Sequence, residues 1–207
     1  MKIYTYTLGP LNVNTYVLVN EKTNKAIAID VGGDANFLKL EEMRLGFKIT
    51  HVLLTHGHFD HIGGAYDLFK NGCTIYIGEK ELSFIKDGSL NLSSLFGDSV
   101  KPFEAIGVKD NDVLILNDIE IKVIETPGHT EGSVCYIVED KIFDGDVIFQ
   151  GSFGRIDFPT GNAKKLVNSA KKLFKYKGYT LYPGHGEPTK VDSEKEINPI
   201  LYYYDWN

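Results

Sequence analysis

Thr55-His56-Gly57-His58-Phe59-Asp60-His61 is the stretch on which the fold and the chemistry of this 207-residue chain depend. It follows an apolar run at 49–54, which predicts a strand that ends where the histidines begin. Half of the six histidines lie here, and imidazole and carboxylate suit zinc, iron or nickel. The tight Gly57 link would let the chain fold around one ion or two. The alternative is a solvated loop that happens to be rich in histidine.

The composition is that of an ordinary globular protein. Hydrophobic residues make up 43% and charged residues 24% of the chain, as in most globular domains. The formal charge of −6 gives no reason to expect nucleic acid or an anionic membrane as a partner. Cys73 and Cys135 lie in apolar, strand-like segments and are interpreted as buried thiols. No charged and apolar leader opens the sequence, and no apolar run reaches membrane-spanning length, so we expect a cytoplasmic protein.

The first part of the chain predicts three strands followed by a helix. Short runs rich in β-branched and aromatic residues predict the strands 3–8, 15–20 and 25–31. Asp34 can cap a helix that ends near Leu45. Asp30, at the end of its strand, points toward the sheet edge that carries the histidines. It is either a carboxylate that orients a metal ligand or a turn residue bonded to its own backbone.

Two segments after the histidines have weaker patterns. We predict a short helix over 78–87. The stretch 88–97 mixes apolar side chains with serine, asparagine and glycine. It is either a mobile flap over a pocket or a loop that Leu92, Leu95 and Phe96 hold against the core.

The second half repeats the order of a strand followed by a polar turn. The predicted elements are a helix at 162–176 and strands at 113–116, 119–125, 134–138, 141–143 and 180–182. Three turns carry the polar residues: Thr126-Pro127-Gly128-His129, Asp144-Gly145-Asp146 and Pro183-Gly184-His185. This weak internal symmetry predicts a single domain over 1–207 with two similar halves, about 1–112 and 113–207, whose loops meet at one edge.

The order of these residues resembles the metallo-β-lactamase superfamily, and the resemblance covers nearly the whole chain. Seven residues fall in the order of the family's metal ligands: His56, His58, Asp60, His61, His129, Asp146 and His185. Within the superfamily, the segments 145–159 and 182–186 look most like the short glyoxalase II-like, or hydroxyacylglutathione hydrolase-like, proteins. The resemblance implies an α/β fold of four layers, αββα, in which two mixed β-sheets pack back to back with helices on the outer faces.

The same resemblance implies a site for two divalent metal ions. The implied ligands are His56, His58 and His129 for the first ion, Asp60, His61 and His185 for the second, and Asp146 for both. Zinc is the expected metal, with iron or a mixed pair as alternatives. Each ion would keep a position open for water, and two ions about 3.5–4 Å apart can share a hydroxide.

For activity, the resemblance implies hydrolysis of a thioester, in particular a hydroxyacyl conjugate of glutathione or another small thiol. The bridging hydroxide would attack the carbonyl carbon, and Asp60 would orient it. Arg155 stands where glyoxalase II proteins place a basic residue, so it either binds a substrate carboxylate or forms a surface ion pair with Asp157. Full-length glyoxalase II proteins carry a further helical domain that contacts glutathione. This sequence ends at Asn207, soon after the last ligand loop, so the identity of the thiol that carries the acyl group stays open.

Other functions of the same fold are alternatives. A persulfide dioxygenase-like oxidoreductase would use one iron, held by the equivalents of His56, His129 and Asp146. A nuclease would need a basic stripe or arm, which the net charge of −6 disfavours. Non-catalytic diiron proteins replace the second histidine of the motif with an acid, whereas this chain has His58 there. β-Lactam hydrolysis is disfavoured because those enzymes are usually exported and the sequence shows no leader.

Overall fold

The computed structural model describes residues 1–33 and 35–204, so the predicted cap at Asp34 and the end of the aromatic tail lie outside the described residues. The strands of the first half are β1 Lys2–Leu8, β2 Val13–Asn20, β3 Lys25–Ile29, β4 Lys48–Leu54, β5 Thr74–Gly78 and β6 Ile106–Val108. Those of the second half are β7 Val113–Leu116, β8 Ile119–Glu125, β9 Val134–Val138, β10 Lys141–Gly145, β11 Ile148–Phe149, β12 Ser152–Phe153, β13 Thr180–Pro183 and β14 Thr189–Lys190. The α-helices are α1 Ala35–Leu45, α2 Phe59–Ile62, α3 Ala65–Lys70, α4 Ser93–Phe96, α5 Ala163–Leu173 and α6 Val191–Ile197.

Twelve of these strands form two mixed sheets, and each sheet comes from one continuous part of the chain. The first has the order β1-β2-β3-β4-β5-β6 and the second the order β14-β13-β10-β9-β8-β7. In the first sheet, β1 and β2 and then β2 and β3 pair antiparallel, whereas the neighbours from β3 to β6 pair in parallel. In the second sheet only β10 and β13 pair in parallel. The change of sheet falls near residue 110, and we retain the two-half domain as a proposal.

Three apolar clusters separate four layers. Side chains alternate between the faces of a strand, so Val17 of β2 packs toward α1 and α3, whereas the adjacent Leu18 packs between the sheets. On β9, Tyr136 joins the same central cluster, and the adjacent Cys135 packs toward α5. Burial of apolar area on both faces of each sheet is the main force that stabilises this order. The predicted αββα sandwich is therefore confirmed.

Helix α5 shows how the sequence fixes an outer layer. Its buried residues, which include Leu166, Ala170 and Leu173, lie on one face against the second sheet. Asn162 caps the helix, because its side-chain oxygen accepts from the backbone N–H of Lys165 at 2.9 Å. None of the helices in the described part of the chain combines the length and the apolar character needed to span a membrane.

The helix predicted over 78–87 is wrong. The structure has a single 3₁₀ turn at Glu79–Glu81, followed by further turns in which backbone N–H groups bond three residues back. Glu81 and Phe84 are both fully buried in this short segment. The buried Glu81 carboxylate accepts from the backbone N–H groups of Gly57 and Gly132, so contacts with distant loops and not helix propensity determine this segment.

The stretch 88–97 is attached to the core by its middle and not by its end. Leu92 is 4% exposed, and the carbonyl oxygen of Asn91 accepts from the N–H of Phe59 at 2.8 Å. Of the three residues predicted to hold the loop, Leu92 is thus confirmed, whereas Leu95 on α4 is 69% exposed and the prediction for it is wrong. Phe96, also on α4, is 50% exposed, and its ring lies 5.0 Å from the ring of the buried Phe59. That the stretch moves as a flap stays a prediction.

Candidate metal centre

The seven candidate ligands meet at one edge of the sandwich because each follows the carboxyl end of a strand. Four come directly after β4, two of them on the short helix α2, and the others follow β8, β10 and β13. Backbone hydrogen bonds join these loops both between the sheets and within the second sheet. The N–H of Val134 donates to the carbonyl oxygen of Thr55, and the N–H of Gly184 donates to that of Gly145, both at 2.8 Å. Residues that are far apart in the sequence are thereby fixed beside one another.

The first ligand set is compact and buried. One donor atom each from His56, His58 and His129 lies within 4.8 Å of the others, and all three residues are buried. Nδ1 of His58 and Nε2 of His129 are only 2.9 Å apart. Two donor atoms of a tetrahedral zinc site with bonds of about 2.0–2.1 Å would lie roughly 3.3 Å apart. These two nitrogens are therefore placed to face a common ion.

The second set has the same spacing. One donor atom each from Asp60, His61 and His185 lies within 4.8 Å of the others. Oδ2 of Asp60 is 3.6 Å from Nε2 of His61 and 3.4 Å from Nε2 of His185. His185 is the most exposed of these residues, with 28% of its side chain accessible.

Asp146 lies between the two sets. Its Oδ1 is 3.4 Å from Nε2 of His61, and its Oδ2 is 3.5 Å from Nε2 of His129. His56, His61 and Asp146 form a third group of three donors within 4.8 Å. Oδ2 also lies 3.7 Å from Nε2 of His185, so the Asp146 carboxylate faces both sets, as a bridging ligand must.

Asp30 fixes the protonation of two candidate ligands. Its Oδ2 lies 2.8 Å from Nδ1 of His61, and a carboxylate can only accept, so Nδ1 carries the proton. The hydroxyl of Thr55 also donates to this Oδ2 at 2.8 Å, which leaves the hydroxyl oxygen free to accept from Nδ1 of His56 at 3.1 Å. In its neutral form, each ring then presents an unprotonated Nε2 to the centre. Of the two roles predicted for Asp30, the structure thus favours ligand orientation, although its φ of 52° also places it in a turn.

His129 is oriented in the same way by a backbone group. Its Nδ1 donates to the carbonyl oxygen of Arg155 at 2.7 Å. Because a carbonyl oxygen cannot donate, Nε2 of His129 is the nitrogen that keeps a free lone pair in the neutral ring. Arg155 therefore supports a candidate ligand through its backbone, a role that the sequence did not suggest.

Unpaired donor atoms show that the residues fit a metal. Among the buried side-chain atoms that the structure describes, Nε2 of His56, Nε2 of His61 and Oδ1 of Asp146 have no hydrogen-bond partner. Buried polar atoms without partners are costly, and a cation placed among these lone pairs would satisfy them. Gly184 keeps this space open, because a Cβ there would overlap both Asp146 and His61.

The electrostatics of the cluster lower the pKa of a carboxylate and of an imidazole. Burial opposes the negative charge of Asp146, yet His61 and His129 hold its pKa far below the usual range. Burial, together with the positive charge of neighbouring imidazoles, lowers the pKa of His56 well below its usual value. Asp146 is therefore a carboxylate and His56 a neutral imidazole at neutral pH, and these are the forms that bind metal.

Glu81 supports the centre, although no local pattern predicted this role. Its Oε2 accepts from the N–H of Gly57, and its Oε1 from the N–H of Gly132, both at 2.8 Å. Gly57 separates the first two candidate ligands, and Gly132 follows the loop of His129. Burial raises the pKa of Glu81 to about 7, against the pull of these donors and of Thr130. One side chain thus ties together the loops that carry the first ligand set.

A cavity of about 390 Å³ lies above the ligands. Its lining includes five phenylalanines, here called the phenylalanine wall: Phe59, Phe96, Phe149, Phe153 and Phe158. Arg155 lines it too, but its guanidinium forms a bidentate ion pair with Asp157, at 2.9 and 2.7 Å, and lies 4.0 Å above the Phe158 ring. The predicted ion pair is therefore present beside the cavity. A larger depression, of about 830 Å³, lies around Asn20 and Tyr179, and the residues described along it include none of the seven candidate ligands.

Comparison with known proteins agrees with this geometry. The family model for the metallo-beta-lactamase superfamily matches residues 8–185. Hydroxyacylglutathione hydrolase GloC of Haemophilus influenzae is 34% identical over 212 residues, which cover 97% of this chain and 98% of that protein. The crystal structure of BLEG-1 B3 metallo-beta-lactamase superposes with a TM-score of 0.91 and 34% identity, over 97% of this chain and 99% of that one. TTHA1623 in a di-iron-bound form superposes with a TM-score of 0.86 and 28% identity, over 96% and 100%. The chain belongs to the metallo-beta-lactamase superfamily.

Proposed function

We propose that this protein hydrolyses thioesters, with hydroxyacyl conjugates of a small thiol as substrates, at a centre of two divalent metal ions. The observation that carries the proposal is the set of buried, unpaired donor atoms at His56, His61 and Asp146 beneath a cavity of small-molecule size. The similarity to GloC, which is named a hydroxyacylglutathione hydrolase, supports a thioester as the substrate.

Two ions suit the donors better than one, because the donors form two sets with Asp146 between them. In the proposal, each set would hold one ion and Asp146 would contribute to both. Zinc is the metal that we expect for this mixture of imidazole and carboxylate ligands. TTHA1623 has been solved in a di-iron-bound form, so iron or a mixed pair is retained as the alternative.

The residues of the chain would position the reactants. A divalent ion at such a site supplies a water activated near neutral pH and polarises a carbonyl oxygen. Asp60, which faces both His61 and His185, would accept a hydrogen bond from the attacking water. Arg155, on the wall of the cavity, would bind a carboxylate of the substrate.

β-Lactam hydrolysis is a second candidate, because the structure superposes on that of BLEG-1, named a B3 metallo-beta-lactamase, with a TM-score of 0.91. In both reactions water attacks a carbonyl carbon, but the leaving groups differ. A thiolate departs without a proton, whereas an amide nitrogen needs one from an acid. Apart from the candidate ligands, Arg155 supplies the only ionisable side chain described in the cavity lining, and a guanidinium does not release its proton in proteins. This favours the thioester.

The test is His185→Ala, with metal content and turnover of S-lactoylglutathione as readouts. His185 belongs only to the second set, so we expect wild type to bind about two ions per chain and the variant to lose about half of its metal. Because a metal ion contributes several kcal/mol to such a reaction, kcat should fall at least about a hundredfold. His51→Ala is the matched control, since His51 lies on β4 outside both sets.

Other results would overturn the proposal. A single iron per chain that His185→Ala leaves in place, together with near-normal turnover, would favour the persulfide dioxygenase-like alternative. Turnover of a β-lactam with none of the thioester would favour the second candidate. Circular dichroism of the variant checks that it remains folded, because loss of the fold would make His185 a structural residue.

A further inference from the structure

The walls of the cavity indicate which kind of thiol the substrate carries, an inference that rests on the proposed thioester hydrolysis. The phenylalanine wall, together with Leu11 and Leu92, makes up seven of the thirteen lining residues, and five of the other six are candidate metal ligands. The ligands would be occupied with the ions and the reacting carbonyl group. What is left to contact the rest of the substrate is almost entirely apolar.

Aromatic rings stand at both ends of the ligand cluster. The Phe158 ring lies 5.8 Å from the ring of His58, on the side of the first set. The Phe149 ring lies 5.9 Å from the ring of His185, on the side of the second set. Phe96 stands over Phe59, with the two rings 5.0 Å apart. A group that extends from the metals in either direction therefore meets an aromatic surface.

The cavity can pair with very little charge on the substrate. Apart from the candidate metal ligands, Arg155 is the one cation described in its lining, and the guanidinium is already paired with Asp157. Glutathione carries two carboxylates and one ammonium group. At most one of those carboxylates could share Arg155, and the other two charges would face phenylalanine rings or solvent. Charged groups brought against apolar walls without partners bind poorly.

We propose that the thiol carrier is a small thiol with an aromatic or branched apolar body and at most one carboxylate. The compact hydroxyacyl group lies at the metals, and the apolar body of the thiol lies along the phenylalanine wall. Burial of that body against the rings supplies binding that glutathione cannot obtain there.

The test uses one acyl group on three carriers: the S-lactoyl esters of benzyl mercaptan, N-acetylcysteamine and glutathione. All three are alkyl thiols of similar acidity, so the intrinsic reactivity of the esters is matched. Full burial of an aromatic ring predicts that kcat/KM for the benzyl ester exceeds that for the glutathione ester by about tenfold to a hundredfold. The N-acetylcysteamine ester, which is neutral but small, should fall between them.

A pair of neighbouring substitutions then tests the wall itself. Phe96 is half exposed on the four-residue helix α4, so Phe96→Ala should leave the fold intact. It should raise KM for the benzyl ester severalfold more than KM for the glutathione ester. Leu95→Ala is the matched control, because Leu95 is adjacent in the chain, 69% exposed and not part of the cavity lining.

The outcomes separate this inference from the proposed function. A glutathione ester that is hydrolysed as well as or better than the benzyl ester would overturn the apolar carrier and leave thioester hydrolysis standing. So would a Phe96→Ala variant that affects both esters equally. If the metal-loaded wild type hydrolyses none of the three esters, the proposed function itself fails.

Discussion

Replacing Glu81 with leucine is expected to loosen the first ligand set from both sides. The carboxylate is fully buried, and each of its oxygens accepts one backbone N–H, from Gly57 and from Gly132, at 2.8 Å. Gly57 lies between the first two candidate ligands, and Gly132 lies three residues after His129. The substitution leaves two buried N–H groups without acceptors in the loops that carry three ligands.

The expected size of the effect follows from these two bonds. A hydrogen bond to a charged group contributes about 1.5–3 kcal/mol, so the loss of two costs about 3–6 kcal/mol. Because burial raises the pKa of Glu81 to about 7, desolvation offsets part of this near neutral pH, and we expect the lower half of the range. At about 2–4 °C per kcal/mol for a chain of this size, Tm should fall by roughly 6–18 °C. Glu81→Gln keeps one acceptor oxygen and should lose about half as much.

The assay combines thermal unfolding with metal affinity, measured by competition with a chromophoric chelator at a temperature where each variant is folded. Glu79→Leu is the matched control, because Glu79 is exposed two residues earlier and its ion pair with Lys109, at 3.0 Å, is of the surface kind that contributes about 0–1 kcal/mol. A Tm for Glu81→Leu within about 2 °C of that control would refute the reasoning. A lower Tm with unchanged metal affinity would leave Glu81 a structural residue and not one that positions the ligands.

Three further predictions concern charge and metal. Arg155→Ala should raise KM for an anionic thioester by roughly tenfold or more, because a charge-assisted hydrogen bond is lost, and the metal content should not change. Asp157→Ala frees the guanidinium and should not raise this KM. Removal of the metal with a chelator should lower Tm by about 5–10 °C, since a ligand at a hundred times its Kd stabilises by about 2.7 kcal/mol; scanning calorimetry measures this, and an unchanged Tm contradicts it. The carboxylates around His61 and His185 raise the pKa of each ring above its usual value despite burial. Protein stripped of metal should therefore release protons when it binds metal, and its affinity for the metal should increase as pH rises. Calorimetric titration in buffers of different ionisation enthalpy would detect the release or its absence.

Local patterns were sufficient to predict the long elements. On β8 the apolar residues Ile119, Ile121 and Val123 are buried and the alternating Glu120 and Lys122 are exposed, and a period of two is what a strand with one buried face produces. The ligand loops were predictable for a different reason. Each is a polar residue on a tight turn directly after such a strand, and strand ends of one sheet edge lie close together in space.

The remaining features depend on contacts between distant residues, which produce no pattern in the nearby sequence. Glu81 stands in a polar run, Glu79-Lys80-Glu81, and its two partners lie 24 and 51 positions away. The strands β11, β12 and β14 have two residues each, and β6 has three. Segments this short become strands because a neighbour offers hydrogen bonds, and their own composition does not decide it.

The charges of the ligand cluster explain why so many polar side chains are buried at this edge. Burial by itself would lower the pKa of His61, but the carboxylates of Asp60, Asp146 and Asp30 raise that pKa well above its usual value. Burial and the charge of His129 lower the pKa of His58 to about 3. One imidazole would therefore hold a proton to balance the carboxylates while its neighbour cannot. A divalent ion removes this conflict, because it supplies the positive charge that the carboxylates need and leaves every imidazole neutral. Metal binding thus offsets the free-energy cost of burying these side chains, so a substitution that removes a single carboxylate should change both the metal binding and that cost.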